Sequence, residues 1–263
     1  MARPVIALLT DFGTRDHYAG TMKGVALGIC PDATLVDISH EVPAHDVVGG
    51  ALELAAAYRY FPAGTIFLVV VDPGVGSTRR GIAAEAGEYK FVAPDNGVLT
   101  VVLDEHPAKR VVELTERRYA RPTVSRTFEG RDRFAPAAAW LAKGIDLAAL
   151  GRPAGAVQHV AIPQPQIGTD RIEGQVVRVD RFGNLITNID RKTFEKLADG
   201  PLDIRAGTHQ VSRVVSTYAD ASPGDVFAVF GSTDHLEIAA NGASAAAALD
   251  LGRGASVHVA RRA

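Results

Sequence analysis

The stretch TIFLVVV at residues 65–71, followed at once by Asp72-Pro73-Gly74, limits what this chain can fold into more than any other segment. Its β-branched residues favour a strand, and the lack of polar alternation means that both faces of that strand must be covered. It is far shorter than the roughly 20 apolar residues that cross a bilayer as a helix. A strand sealed on both sides and stopped by a Pro-Gly turn belongs inside an α/β sheet.

The flanking sequence agrees. PVIALL (4–9), ATLVDI (33–38), GIAAEA (81–86), KFVA (90–93) and RVVEL (110–114) read as further strands. HYAGTMKGVALGIC and DVVGGALELAAAYRYF read as helices between them, the second capped by Asp46 and followed by Pro62. A third helix is expected from near Pro136 through AAAWLAKG to Gly144. The expectation is an α/β N-terminal sandwich with a mainly parallel sheet over residues 1–155. Residues 151–170, rich in proline and glycine and without sustained period, mark a linker, placed at 156–169. Beyond it, EGQVVRVD, NLITNI, PLDIRA, HQVSRVVST, DVFAVFG, HLEIAA and SVHVA are short runs between turn residues. They imply a smaller C-terminal antiparallel β-barrel over 170–263. GASAAAALDLG is expected to add one short helical turn or loop.

Charge narrows the partners. Lys and Arg number 28 against 30 Asp and Glu, a net charge of −2, so nothing favours nucleic acid or an anionic membrane. A small-molecule substrate is the expectation. The single cysteine, Cys30, makes no internal disulfide, and MARPVIALLTDFG lacks a signal-peptide pattern, so the expected location is the cytoplasm.

Several fragments mimic known motifs and fail on physical grounds. HEVPAH (40–45) spaces its histidines five apart around Pro43, which puts them on different faces of any helix. Asp11-Phe12-Gly13 spells the kinase magnesium motif without the glycine-rich loop, lysine strand or catalytic loop. GVGSTR lacks the third glycine of a dinucleotide fingerprint, and there is no Walker-type lysine. No metal site and no cofactor is expected.

Acidic residues directly after apolar strands carry more weight, because ligands of open α/β sheets bind beyond the strands' carboxyl ends. Asp11 follows the first strand, with Asp16 about one turn on; Asp72 follows the most apolar strand, with Arg79 positioned to return charge to it. A lone aspartate of this kind is a turn former, but two in one domain favour a site. In TFEGRDRFAP (127–136), Arg131 and Asp132 fit an ion pair or helix cap, and Glu129 matters only if the loop points inward. In VDRFGNLITNI (179–189), Asp180, Phe182 and Asn184 suit a purine bearing a cationic group, and equally a β-turn with a core phenylalanine.

Taken together, TDFGTRD, DPGVGSTRR, APDNGVLT, TFEGRDRFAP, DRFGNLITNI, TYAD and GSTDHLEIAANGAS resemble the S-adenosylmethionine hydroxide adenosyltransferases of the fluorinase and chlorinase superfamily, in order along nearly the whole chain. That resemblance implies an N-terminal α/β sandwich, a C-terminal barrel and a homotrimer with ligand between the N-terminal domain of one subunit and the C-terminal domain of the next. It implies attack of water or hydroxide on C5′ of S-adenosylmethionine, giving adenosine and methionine, with no cofactor. Asp72 and Arg79 match two members of the family's water-handling trio. The third is a histidine before Gly-Arg-Asp, where this chain carries Glu129. By the same resemblance Asp11 holds the ribose hydroxyls, and Asp16 and Asp180 face the methionine ammonium. Phe182 and Tyr218 stack on adenine, Asn184 reads its edge and Ser232 takes the carboxylate, although the halogenases' neighbouring arginine is here Thr233. Glu237 and the backbone near Ala240 and Gly242 complete the pocket, and His45 stands where halogenases carry a tryptophan.

Replacing histidine by glutamate changes the sign of a charge. If Glu129 lies near Asp72, two carboxylates compete unless Arg79 compensates both. The expectation is an active hydrolase. The alternative is a slow or inactive adenosine or S-adenosylmethionine binder. Halogenation is disfavoured, because halogenases replace Asp72 with an aromatic hydroxyl residue.

Overall fold

The run at 65–71 is buried from Thr65 through Val71, and its central strand spans Ile66–Val70. In this computed structural model, which describes residues 3–198 and 200–262, one unit extends to Ile162 and a second starts at Pro163.

In the first unit, β1 (Val5–Thr10), β2 (Thr34–Ser39), β3 (Ile66–Val70), β4 (Gly81–Ala86), β5 (Tyr89–Pro94), β6 (Arg110–Leu114) and β7 (Gly151–Pro153) form one sheet in the order β2-β1-β3-β5-β4-β6-β7. The pairings β1–β2, β1–β3 and β3–β5 are parallel. Those of β4 with β5 and β6, and of β6 with β7, are antiparallel. The sheet is therefore mixed, and the expectation of a mainly parallel one is corrected. The reason is the two-residue turn at Gly87-Glu88, which folds β4 directly back onto β5 without a crossover.

Helices α1 (Tyr18–Ile29), α2 (Val47–Ala57), α3 (Thr100–Glu105) and α4 (Ala135–Ala142) complete the unit. Alternate residues of β1 serve two cores. Ile6 and Leu8 meet Met22 and Ala26 of α1 and Ala138 and Leu141 of α4, whereas Ala7 and Leu9 share a core with Leu54 of α2 and Val102 of α3. Asp46 caps α2 as its sequence position predicts, accepting from the Gly49 amide at 2.9 Å.

The second unit contains β8 (Gln166–Ile167), β9 (Arg171–Val179), β10 (Leu185–Asp190), β11 (Leu202–Ala206), β12 (His209–Val211), β13 (Val214–Val215), β14 (Val226–Phe230), β15 (His235–Ala240) and β16 (Ser256–Arg261). Short helices α5 (Arg191–Glu195) and α6 (Ala245–Leu249) lie between them. The sheet order is β12-β11-β16-β9-β10-β15-β14-β13, with β8 on β9, and β13–β14 is its parallel pair. Ile172, Val176, Leu185, Ile204, Leu236 and Val257 are central to its core.

Residues 156–169 are divided between the units. Gln158 donates its amide to Asp95 at 2.8 Å and Val160 to Thr100 Oγ1 at 2.9 Å, binding that part to the first unit. Gln166 and Ile167 pair with Glu173 and Ile172 in the second. Among the described residues no helix is long and apolar enough to cross a membrane.

Candidate active site

Asp72 sits just beyond β3, where Val71 ends the buried run. Pro73-Gly74 reverses the chain, and Gly76 adopts φ +75° against the Arg126 carbonyl, an approach no side chain would permit. The loop thereby returns Arg79 to Asp72. Arg79 Nε donates to Asp72 Oδ1 at 2.8 Å and Nη2 donates to Oδ2, a planar two-point clamp.

A second carboxylate completes the group. Glu129 Oε2 lies 2.7 Å from Arg79 Nη2, and the side chains of Asp72, Arg79 and Glu129 are 5%, 10% and 11% exposed. This is an ion pair between two enclosed groups. Burial works against the Arg79 charge. The hydrogen bond and charge of Asp72, then Glu129, outweigh it and hold the guanidinium's pKa above its ordinary value. The guanidinium carbon also lies 5.2 Å from the centre of the Phe134 ring.

Glu129 reaches this position because Gly130–Phe134 form a π-helical turn that runs directly into α4. Such turns are rare and concentrate at functional sites. Gly130 packs close to Met22 Sδ, Phe128 and Val70. Asp132, fully buried, is clamped by Arg131 Nε and Nη2, each at 2.7 Å, and accepts from the Ser125 amide at 2.8 Å. The Arg131–Asp132 ion pair is thus structural, and it leaves Glu129 turned inward.

The loop after β1 holds Asp11, whose Oδ2 accepts from the His45 amide at 2.8 Å. His45 reaches it with φ +67°, uncommon for a residue with a side chain. His40 locks the two loops together. Its carbonyl accepts from the Gly13 amide at 2.7 Å, and its Nδ1 meets buried Thr10 Oγ1 at 2.8 Å. Its bond to the end of β1 was invisible in the sequence because the partners are thirty residues apart. Asp16 is exposed.

The second unit gathers the other candidates. Asp180 Oδ1 accepts from the amides of Phe182 and Asn184, and Oδ2 from Asn184 Nδ2, all at 2.9 Å. Asp180 thereby organises the turn. Asn184, buried, spends an amide hydrogen on that turn. The phenylalanine reading resolves plainly: Phe182 is 76% exposed and is no core residue. Tyr218, also exposed, donates to buried Glu237 Oε2 at 2.9 Å. Glu237 lies against Gly231, in the space a side chain there would take. Ser232 is exposed in the turn after β14, and Gly242 turns the chain after Ala240 with φ +70°.

The chain matches the models of the SAM hydroxide adenosyltransferase N-terminal domain over residues 6–151 and C-terminal domain over residues 174–258. An (R)-S-adenosyl-L-methionine hydrolase from Salinispora tropica is 38% identical, with 97% of each chain covered. A fluorinase from Nocardia brasiliensis is 32% identical, covering 98% of this chain and 97% of its own. A solved structure of an uncharacterized conserved protein from Thermotoga maritima is 36% identical with a TM-score of 0.92, covering 97% of this chain and 100% of that one. On both domain models and these full-length relatives, the chain belongs to the SAM hydroxide adenosyltransferase family.

Proposed function

We propose that this protein hydrolyses S-adenosylmethionine to adenosine and methionine by attack of water on C5′. The observation that carries this reading is the buried trio of Asp72, Arg79 and Glu129 at the end of β3. A sulfonium departs as a neutral thioether and needs no acid, so the protein's task is to place and activate water. A guanidinium in a dry setting stabilises a developing hydroxide far better than one in bulk solvent. Asp72 keeps that guanidinium in one orientation.

Asp11 is assigned to the ribose hydroxyls: one oxygen is engaged by His45, which leaves the other for a diol. Exposed Phe182 and Tyr218 offer flat faces for adenine, while Asn184, Glu237 and the backbone at Ala240 and Gly242 shape the surrounding pocket. Ser232 is assigned to the methionine carboxylate, and Asp16 and Asp180 to its ammonium. Asp180 also shapes the turn that presents Phe182. These residues fall on two units, which supports the reading that a homotrimer completes each site across subunits. We further read the second unit's sheet as a barrel. Residues 1–155 and 170–263 correspond in this reading to the two functional domains, joined by 156–169.

Incubating the purified protein with S-adenosylmethionine and following adenosine by chromatography tests the function. Release well above that of the Arg79→Ala variant is expected. Tight calorimetric binding without release would instead favour a binder silenced by Glu129. In chloride or fluoride no 5′-halo-adenosine is expected, because Asp72 fills the space beside Arg79 with negative charge.

A further inference from the structure

The trio divides its hydrogen-bonding capacity unevenly. Asp72 spends both oxygens on Arg79, through Nε and Nη2. Glu129 sets Oε2 against the same Nη2, and its Oε1 stands 3.8 Å from Arg133 Nη1, beyond hydrogen-bond reach. Among the described residues no donor is directed at Oε1, and no acceptor engages Arg79 Nη1. Oε2 is fully enclosed and Oε1 is not. An open carboxylate oxygen on a side chain in contact with a guanidinium suits a water molecule that donates to it.

We infer that Glu129 Oε1 is the general base of the hydrolysis, an assignment that rests on the reaction proposed above. Asp72 is unsuited to that role because both of its oxygens already hold Arg79. In the step, Oε1 takes a proton from water as the water oxygen forms its bond to C5′. The C5′–S bond breaks with its electron pair passing to sulfur, and methionine leaves as a neutral thioether. Glu129 then returns the proton to solvent, so each turnover consumes one water and releases one proton. Arg133 Nη1, 3.8 Å from Oε1, places a second guanidinium beside the Glu129 carboxylate.

The test compares wild type with Glu129→Gln, Glu129→Asp and Glu129→His, measuring kcat, adenosine affinity and the effect of heavy water. General base catalysis contributes about 100-fold or more. The Gln variant is therefore expected to lose about that factor in kcat while its adenosine Kd changes little, and to lose the normal solvent isotope effect seen in wild type. The Asp variant, one methylene short, is expected to fall between the two and covers the case in which Gln does not fold. The His variant is expected to regain turnover and to lose rate below about pH 6.5, where imidazole takes a proton. Wild-type kcat in a folded Gln variant would overturn the base assignment and leave hydrolysis standing. No adenosine from wild type would overturn both.

Discussion

Two buried carboxylates show how the same side-chain chemistry can be set in opposite directions. Burial alone would raise the Asp132 pKa, but hydrogen bonding from Arg131 and the Ser125 amide, and the charges of Arg131 and Arg121, hold it below the ordinary 3.8. Its stabilisation is therefore present above pH 3.8 and disappears as pH falls through the depressed folded value. Glu237 goes the other way. Burial raises its pKa above 4.5, the Tyr218 hydrogen bond opposes this, and Asp180 adds to the rise. The same surroundings push the Tyr218 hydroxyl up to about 12, burial first and Glu237 next. Native Glu237 thus holds its proton more tightly than the unfolded chain does, so its contribution falls as pH rises from 4.5 through the folded value. Glu237→Gln keeps an acceptor for Tyr218 and abolishes that loss. Urea unfolding should show the variant gaining stability over wild type at pH 7 and not at pH 4. A difference independent of pH would refute the assignment. At this scale the sequence revealed the Asp72–Arg79 pairing, since a tight Pro-Gly turn brings an arginine seven positions on back to the aspartate. It did not reveal that Glu129 faces inward, because a π turn has no periodic signature; of the reading at 179–189 the turn at Asp180 holds and the core phenylalanine does not.

Among the elements, strands sealed on both faces were the most legible, because an unbroken apolar run of five to seven residues is too short for a buried helix and too apolar for an exposed loop. The helix α3 and the strand β7 were not, being too short to show a period. Strand direction was also hidden, which is why the antiparallel half of the first sheet escaped detection. In the second unit one turn carries several strands' worth of order. Gly183 has φ +84°, and any side chain there would collide with Ser244, the cap of α6. Gly183→Ala must bear both the left-handed conformation, about 1–2 kcal/mol, and that collision. Trp140, the sole tryptophan, reports on the first unit alone. Heating the variant should lower the midpoint seen by circular dichroism and leave the tryptophan transition in place. An unchanged circular dichroism midpoint would show that the turn absorbs the methyl group.

For the whole molecule, the proposed trimer makes a prediction that no single subunit can meet. Arg79→Ala removes a group from the first unit, and Phe182→Ala one from the second. Each homotrimer should release adenosine at under about a tenth of the wild-type rate, given the loss of charge stabilisation in one and adenine stacking in the other. Co-refolding the two variants should restore part of the activity, since some sites then combine two intact halves. If each site lay within one subunit, the mixture would stay as inactive as its components.

The mixed sheet also bears on how the chain assembles. Strands β4 and β5 meet through a turn of two residues, so they can pair within microseconds of collapse, whereas Ile6 must find Ile66 across the intervening helices before β1 joins β3. Folding is therefore expected to start at the local hairpin and grow toward the distant parallel strands. Asp11 stands at the end of the strand that must travel furthest, so its loop is among the last parts of the unit to become native. Until that moment one edge of β3 stays unpaired, which makes the late arrival of β1 the step most open to aggregation.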